Sequence, residues 1–236
     1  MTLTTFNDKK EKSAEKRLDE KEFTISKKTQ RTIQIAGAAI FSAISLVLSA
    51  NVVPILPRIP GWEIAYYDPS AIIWLLCFFI FGVEAGLVCT VVGSIGLFFA
   101  DPTGIGTLFK FFATIPLIIV PILLLRLYKR KEGERNSQKL KNPKNFLITG
   151  IIGSLLRIIT MLIFNILFFL TAWSDYFAWA NLDYLGFGNI TGWSAIIIFT
   201  IILNSYSSVL DLLIPYTIVF GAMDYGLKLD EKFEIW

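Results

Sequence analysis

Five polar side chains lie deep inside apolar runs and are the ones able to do chemistry: Lys110, Arg157, Asn165, Asn204 and Asp211. Ionisable groups at membrane depth are rare and are expected to pair or to bind something. Lys110 follows Gly104 by six residues, about 9 Å of helical rise. There its ammonium either meets an anionic or carbonyl group of a solute arriving from outside, or snorkels to the outer interface. Arg157 and Asp211 fall near mid-membrane or slightly inward. A mutual ion pair is geometrically open to them, and an unpaired charge there would be expensive. Asn165 and Asn204 belong to the outer halves of their runs. Each can offer a donor and an acceptor to a polar solute, or hydrogen-bond one helix to another.

Several chemistries are excluded. The chain has no histidine, so no histidine base, nucleophile or metal ligand exists, and Ser-His triads and HExxH sites fall away. No GxxxxGK[ST] run occurs, which removes ATP hydrolysis by that route. Intramembrane proteolysis by aspartates needs two facing carboxylates, and Asp211, the only acidic residue expected to be buried mid-helix, has no obvious partner carboxylate. Cys77 and Cys89 read as apolar filler at similar depth on a reducing side, not as a disulfide. No enzyme activity, cofactor, metal or nucleic-acid partner is expected.

The elements that must position the five polar groups are membrane spans. The chain has 236 residues, 54% of them hydrophobic and 17% charged, with mean hydropathy +0.60. Ordinary soluble domains are about 45–50% apolar and about 25% charged. A first span is expected over about Thr32–Val53, ended by Pro54, Pro57 and Pro60, which forbid a continuing helix. Ser70–Ala100 is 31 residues with almost no polarity, too long for one upright span of ~20. It is expected to form two helices meeting in a tight turn around Gly82–Glu84. Further spans are expected over about Gly104–Leu125, Phe146–Ala172 and Trp193–Tyr225.

Charge tests this count. Residues 1–31 hold nine Lys/Arg and six Asp/Glu, and residues 126–145 hold eight Lys/Arg and two Glu. The loop at 173–192 has no Lys or Arg, and the Pro-rich loop has only Arg58. By the positive-inside rule both basic segments are cytoplasmic, which holds only if Ser70–Ala100 crosses twice. The expectation is an all-α, polytopic protein of the cell (plasma) membrane with six transmembrane helices and both termini cytoplasmic. A charged tail (1–31), a transmembrane domain (32–226) and a C-terminal tail (227–236) make up the chain. No short apolar region and cleavage site follow the first charges, so the tail is not a signal peptide.

The outer loops are aromatic: Trp62, Tyr66 and Tyr67 in the first, and Trp173, Tyr176, Trp179 and Tyr184 among others in the last. Interfacial belts look the same, yet clustering within loops suits a lid that stacks on a flat ligand. Asn189-Ile-Thr191 is a sequon by composition alone. Ala39 and Ala43, four apart in the first span, share a face on which another helix can approach closely.

Tyr67-Asp68-Pro69-Ser70-Ala71 followed by Phe81-Gly82-Val83-Glu84-Ala85-Gly86-Leu87 resembles the S components of energy-coupling factor (ECF) vitamin transporters. In riboflavin-type members a Pro-rich loop leads to an Asp-containing segment before helix two, and a Gly-x-x-x-Gly turn follows. Asp101-Pro-Thr-Gly-Ile-Gly-Thr107 looks like their Gly-rich entry to helix four, and Ala39–Ala43 is similar to their docking face. Leu203-Asn204-Ser205-Tyr206-Ser207 sits where the riboflavin type has an Asn followed by a Lys, so Ser207 replaces that lysine. The resemblance spans about residues 32–226.

It implies a substrate-binding subunit that captures a vitamin or related small heterocycle from outside. Import would then need a transmembrane coupling subunit and two ATPases. Asp68 would cap helix two and reach the ligand, while Lys110, Asn165 and Asn204 would supply polar contacts. Trp62, Tyr66, Tyr67 and Trp179 would stack and close, and Ala39 and Ala43 would dock the coupling subunit. A stand-alone secondary transporter is the alternative; it would normally carry an internal repeat, and none links the two halves.

Overall fold

A computed structural model of the chain describes residues 27–62, 64–100, 103–127 and 136–223. Most of the expected N-terminal tail, the expected C-terminal tail, Asp101-Pro102 and part of the basic 126–145 segment lie outside the described residues. The helices are α1 (Lys27–Asn51), α2 (Ser70–Phe81), α3 (Val83–Ala100), α4 (Ile105–Leu127), the short α5 (Asn136–Lys141), α6 (Pro143–Leu170) and α7 (Gly192–Tyr216). A wider π-helical turn, Thr217–Met223, continues α7.

Among the described residues, four stretches are long and apolar enough to cross a membrane: Lys28–Ile55, Ile105–Leu127, Pro143–Leu170 and Gly192–Gly221. The other two are shorter than the expected double crossing suggests. α2 has 12 residues and α3 has 18, or about 18 and 27 Å of rise against a hydrocarbon core of about 30 Å.

The expected break in Ser70–Ala100 occurs at a single residue. Gly82 has φ 92° and ψ −173°, a backbone that side-chain-bearing residues rarely adopt. Its N–H donates to Phe78 O at 2.8 Å, and its carbonyl accepts from Gly86 N at 2.9 Å, so both helix ends are satisfied through the turn. Gly86 then lets the two helices touch: a Cβ there would lie 2.6 Å from Phe78 Cβ and 2.9 Å from Phe78 Cα. Neither atom can swing aside. Gly86→Ala is therefore expected to cost about 1–3 kcal/mol, read as earlier loss of the monodisperse peak when detergent-solubilised protein is heated. A variant as stable as the parent would show that the α2–α3 contact yields without strain.

Apolar side chains face outward as well as inward. On α6, Ile151, Leu155, Ile159 and Ile163 recur every four residues and are about half exposed. In water such a face would aggregate; in lipid it costs nothing. The inward face of α6 is the complementary stripe Thr149, Gly150, Gly153, Arg157 and Met161. Gly153 lies against Pro116 O and Leu117 of α4, which brings α4 and α6 close and carries Arg157, one turn on, into the interior. α7 buries Thr200, Asn204, Ser208, Asp211 and Pro215 by the same periodicity.

Buried hydroxyls mostly satisfy themselves on their own helix. Thr90, Ser94, Thr114 and Thr149 each donate to the carbonyl four residues back, at 2.7–2.9 Å, a common solution for hydroxyls in apolar helices. Helix α1 adds cross-links: Ser42 Oγ donates to Cys89 O at 3.3 Å, and fully buried Trp74 donates from Nε1 to Ser45 Oγ at 3.0 Å. Cys77 and Cys89 are free and buried in the same cluster as Trp74 and Ala38.

The loops carry two small antiparallel ribbons that sequence periodicity does not announce. β1 (Arg58–Ile59) pairs with β2 (Ile64–Ala65), and β3 (Asn181–Leu182) pairs with β4 (Phe187–Thr191). They qualify the all-α expectation only within the loops.

Candidate functional site

At the end of the bundle where the two ribbon loops meet lies a cavity of about 610 Å³, within the range of about 300–1,000 Å³ typical of small-molecule sites. Its apolar wall combines aromatic rings (Trp62, Phe109, Phe168, Phe169, Trp173 and Phe199) with aliphatic side chains such as Leu97, Met161 and Leu203. Its polar lining includes Tyr67, Asp68, Lys110, Asn165, Asn204 and Ser207, with Arg157 and Asp211 alongside.

Two ion pairs organise the polar lining. Arg157 Nη1 meets Asp211 Oδ2 at 2.6 Å, with side chains 8% and 2% exposed. Arg157 Nε donates to Asn204 Oδ1 at 3.1 Å, and Asn204 Nδ2 donates to Thr200 O at 2.9 Å. The pairing that sequence position leaves open is thus formed, and it borders the cavity. Asn165 spends one donor on Met161 O at 2.8 Å, leaving its carbonyl for another partner.

Lys110 takes a partner that neither sequence expectation supplies. Its ammonium pairs with the Asp68 carboxylate and donates to Asp68 O at 2.9 Å. The Lys110 side chain is 14% exposed, so it neither snorkels nor waits unpaired for a solute. Asp68 Oδ1 accepts from Ser70 N at 2.9 Å and from Ser70 Oγ at 2.7 Å, which caps the start of α2. Ser70 Oγ in turn hydrogen-bonds Ser49 Oγ of α1. Burial opposes ionisation of Asp68, but the Lys110 ammonium and the Ser70 hydrogen bonds outweigh it and hold the carboxyl below its ordinary range.

Adjacent residues of the first loop therefore grip opposite walls. Tyr67 OH donates to Asp211 Oδ1 at 3.1 Å, while Asp68 holds Lys110 on α4. Burial, then the Asp211 charge, push the Tyr67 phenol well above its ordinary value, so it stays a donor.

Trp62 closes the site from above. Its ring stacks on Phe199 with centroids 3.9 Å apart and planes 16° off parallel, and meets Phe169 edge-on at 6.5 Å. Its Nε1 donates to Asn181 O at 3.0 Å, tying the first loop to the second ribbon. Tyr66 OH bonds Tyr184 OH, and that hydrogen bond, followed by desolvation, raises the Tyr66 phenol to about 12.

Seven of the eight candidate binding residues reach the cavity: Trp62, Tyr66, Tyr67, Asp68, Lys110, Asn165 and Asn204. Trp179 does not. It is 75% exposed, because Trp173, Phe177 and Ala180 occupy the inner side of that loop against Phe169 and Ile196. Ala39 and Ala43 are exposed on α1, away from the cavity lining. Sequence reasoning missed Phe109, Phe168, Phe169 and Phe199, although Phe168 and Phe169 follow Asn165 by three and four residues and so share its face.

Groups suited to binding and enclosure dominate this arrangement, with donors and acceptors set among aromatic faces. Comparison with curated proteins finds no match, and comparison with solved structures finds none. The family model for the substrate-specific component of ECF transporters, however, matches residues 34–219, and the chain belongs to that family of membrane transport subunits.

Proposed function

We propose that the chain captures a vitamin or related small heterocycle from outside the plasma membrane and presents it to an ECF coupling subunit driven by two ATPases. The observation that carries this reading is the cavity of about 610 Å³ whose wall includes six aromatic rings and which the Trp62 loop roofs. In this reading α2 and α3, shorter than the other spans, complete two further crossings, giving six spans and cytoplasmic termini. The loop end of the bundle, free of basic residues at 173–192, faces outward.

The test is mass spectrometry and absorption of whatever co-purifies with the detergent-solubilised chain. A stoichiometric heterocycle supports capture and names the substrate. A protein that stays empty after growth in rich medium counts against it.

Docking is assigned to the exposed face of α1. Ala39 and Ala43 stand there beside Ile40 and Ile44, which are 58% and 43% exposed; small side chains let a partner helix approach. Ala39→Trp combined with Ala43→Trp is expected to abolish recovery of the coupling subunit and ATPases in a co-purification while ligand affinity is unchanged. Recovery of the intact complex would remove α1 from the interface.

A further inference from the structure

We infer that the cavity selects solutes without net charge, and that Asp211, by holding Arg157, is the residue that sets this selectivity. The inference deepens the capture reading and rests on it. Among the described residues, five charged side chains border the cavity: Arg58, Asp68, Lys110, Arg157 and Asp211. Four of them cancel in two contacts, Lys110 with Asp68 and Arg157 with Asp211. The fifth, Arg58, is exposed on β1 at the rim. The buried part of the site therefore carries no surplus charge.

The geometry makes that balance hard to disturb. Both Asp211 oxygens are occupied, Oδ2 by Arg157 and Oδ1 by Tyr67. Arg157 also donates to Asn204. Arg157 keeps N–H donors that Asp211 and Asn204 do not take, but its charge is already cancelled by Asp211, which is 2% exposed. An anionic solute would bring a negative charge with no counter-charge left to meet it, and a cationic solute would meet only carboxylates already paired with Arg157 and Lys110. Either way one ion stays uncompensated in the cavity, where burial of a lone charge is costly. A solute with no net charge displaces neither partner, and its polar edge can still use the Asn165 carbonyl and the donors that Arg157 and Asn204 have not committed.

The experiment uses the full chain purified in detergent and a deproteinised yeast extract, which offers uncharged, anionic and cationic metabolites together. Protein is incubated, washed and denatured, and the released compounds are identified by mass spectrometry at pH 7.5. The parent is expected to retain one compound without net charge in near-stoichiometric amount. D211N, which leaves Arg157 uncompensated, is expected to shift the ratio of anionic to uncharged compounds by about 100-fold towards anions.

A stoichiometric compound with net charge on the parent overturns charge selectivity while leaving capture standing. A parent that retains nothing overturns both. A monodisperse D211N that keeps the parent's compound and gains no anion removes Asp211 from the selectivity. The parent arm needs no variant, so the inference is decided even where D211N does not fold.

Discussion

Asp211→Leu is expected to lower the thermal stability of the chain sharply, and Arg157→Met introduced into the same chain is expected to restore most of it. The Arg157 and Asp211 side chains are 8% and 2% exposed and meet at 2.6 Å. Removing one partner strands the other charge in the interior, which costs about 3–5 kcal/mol. For a chain of this length that amounts to a fall on the order of 10 °C in the midpoint. Replacing both with apolar side chains of similar volume removes the stranded charge, and such replacements are often neutral in stability.

The double variant should nonetheless lose ligand affinity, because Asn204 and Tyr67 lose the groups that orient them. Thermal unfolding followed by size-exclusion chromatography, run as a double-mutant cycle, reads the coupling directly. If the two single losses simply add in the double variant, the two residues do not act as a pair.

The bundle was largely legible in the sequence because the signals that build it are local. Three prolines after Asn51 must end a helix, and Gly82 within an otherwise unbroken apolar run must turn it. Segments of twenty or more apolar residues must cross lipid. The inward placement of Asn204 and Asp211 was also within reach, since seven residues is nearly two helical turns. Partner choice was not. Lys110 pairs with a residue 42 positions earlier, and nothing in either segment names the other until α4 is packed beside the first loop.

The aromatic wall stayed hidden for a different reason. Phe109 and Phe199 look like any lipid-facing phenylalanine in a run where both faces are apolar, and only the interhelical geometry turns them inward. Trp179 illustrates the reverse error: loop aromatics declare an interface, but which ring faces in depends on which neighbours, here Phe177 and Ala180, fill the inner positions first.

Lys110→Met is expected to weaken ligand binding on the order of 100-fold, the loss of charge-assisted hydrogen bonds worth about 1.5–3 kcal/mol, and that loss is expected to shrink on acidification. In the parent, Lys110 and Ser70 hold the Asp68 carboxyl below its ordinary range against the opposing effect of burial. A carboxyl whose folded pKa is depressed contributes stability that is complete above the unfolded value of about 3.9 and is lost only as pH falls through the lower folded value. The Asp68 carboxylate of the anchor therefore stays charged on acidification to pH 5, and the chain has no histidine to titrate on the way.

Removing the ammonium leaves burial opposed only by the Ser70 hydrogen bonds, so the Asp68 carboxyl of the variant lies above that of the parent. The parent gains from the pair only while Asp68 is charged, so the advantage it holds over Lys110→Met is complete above both values and is lost as pH falls through them. The gap in stability and in ligand binding between parent and variant should accordingly narrow on acidification. In an Asp68→Asn background Lys110→Met should cost the same at every pH, because no titrating group remains at the anchor. A gap that does not change on acidification would show that the first loop is not held through Asp68.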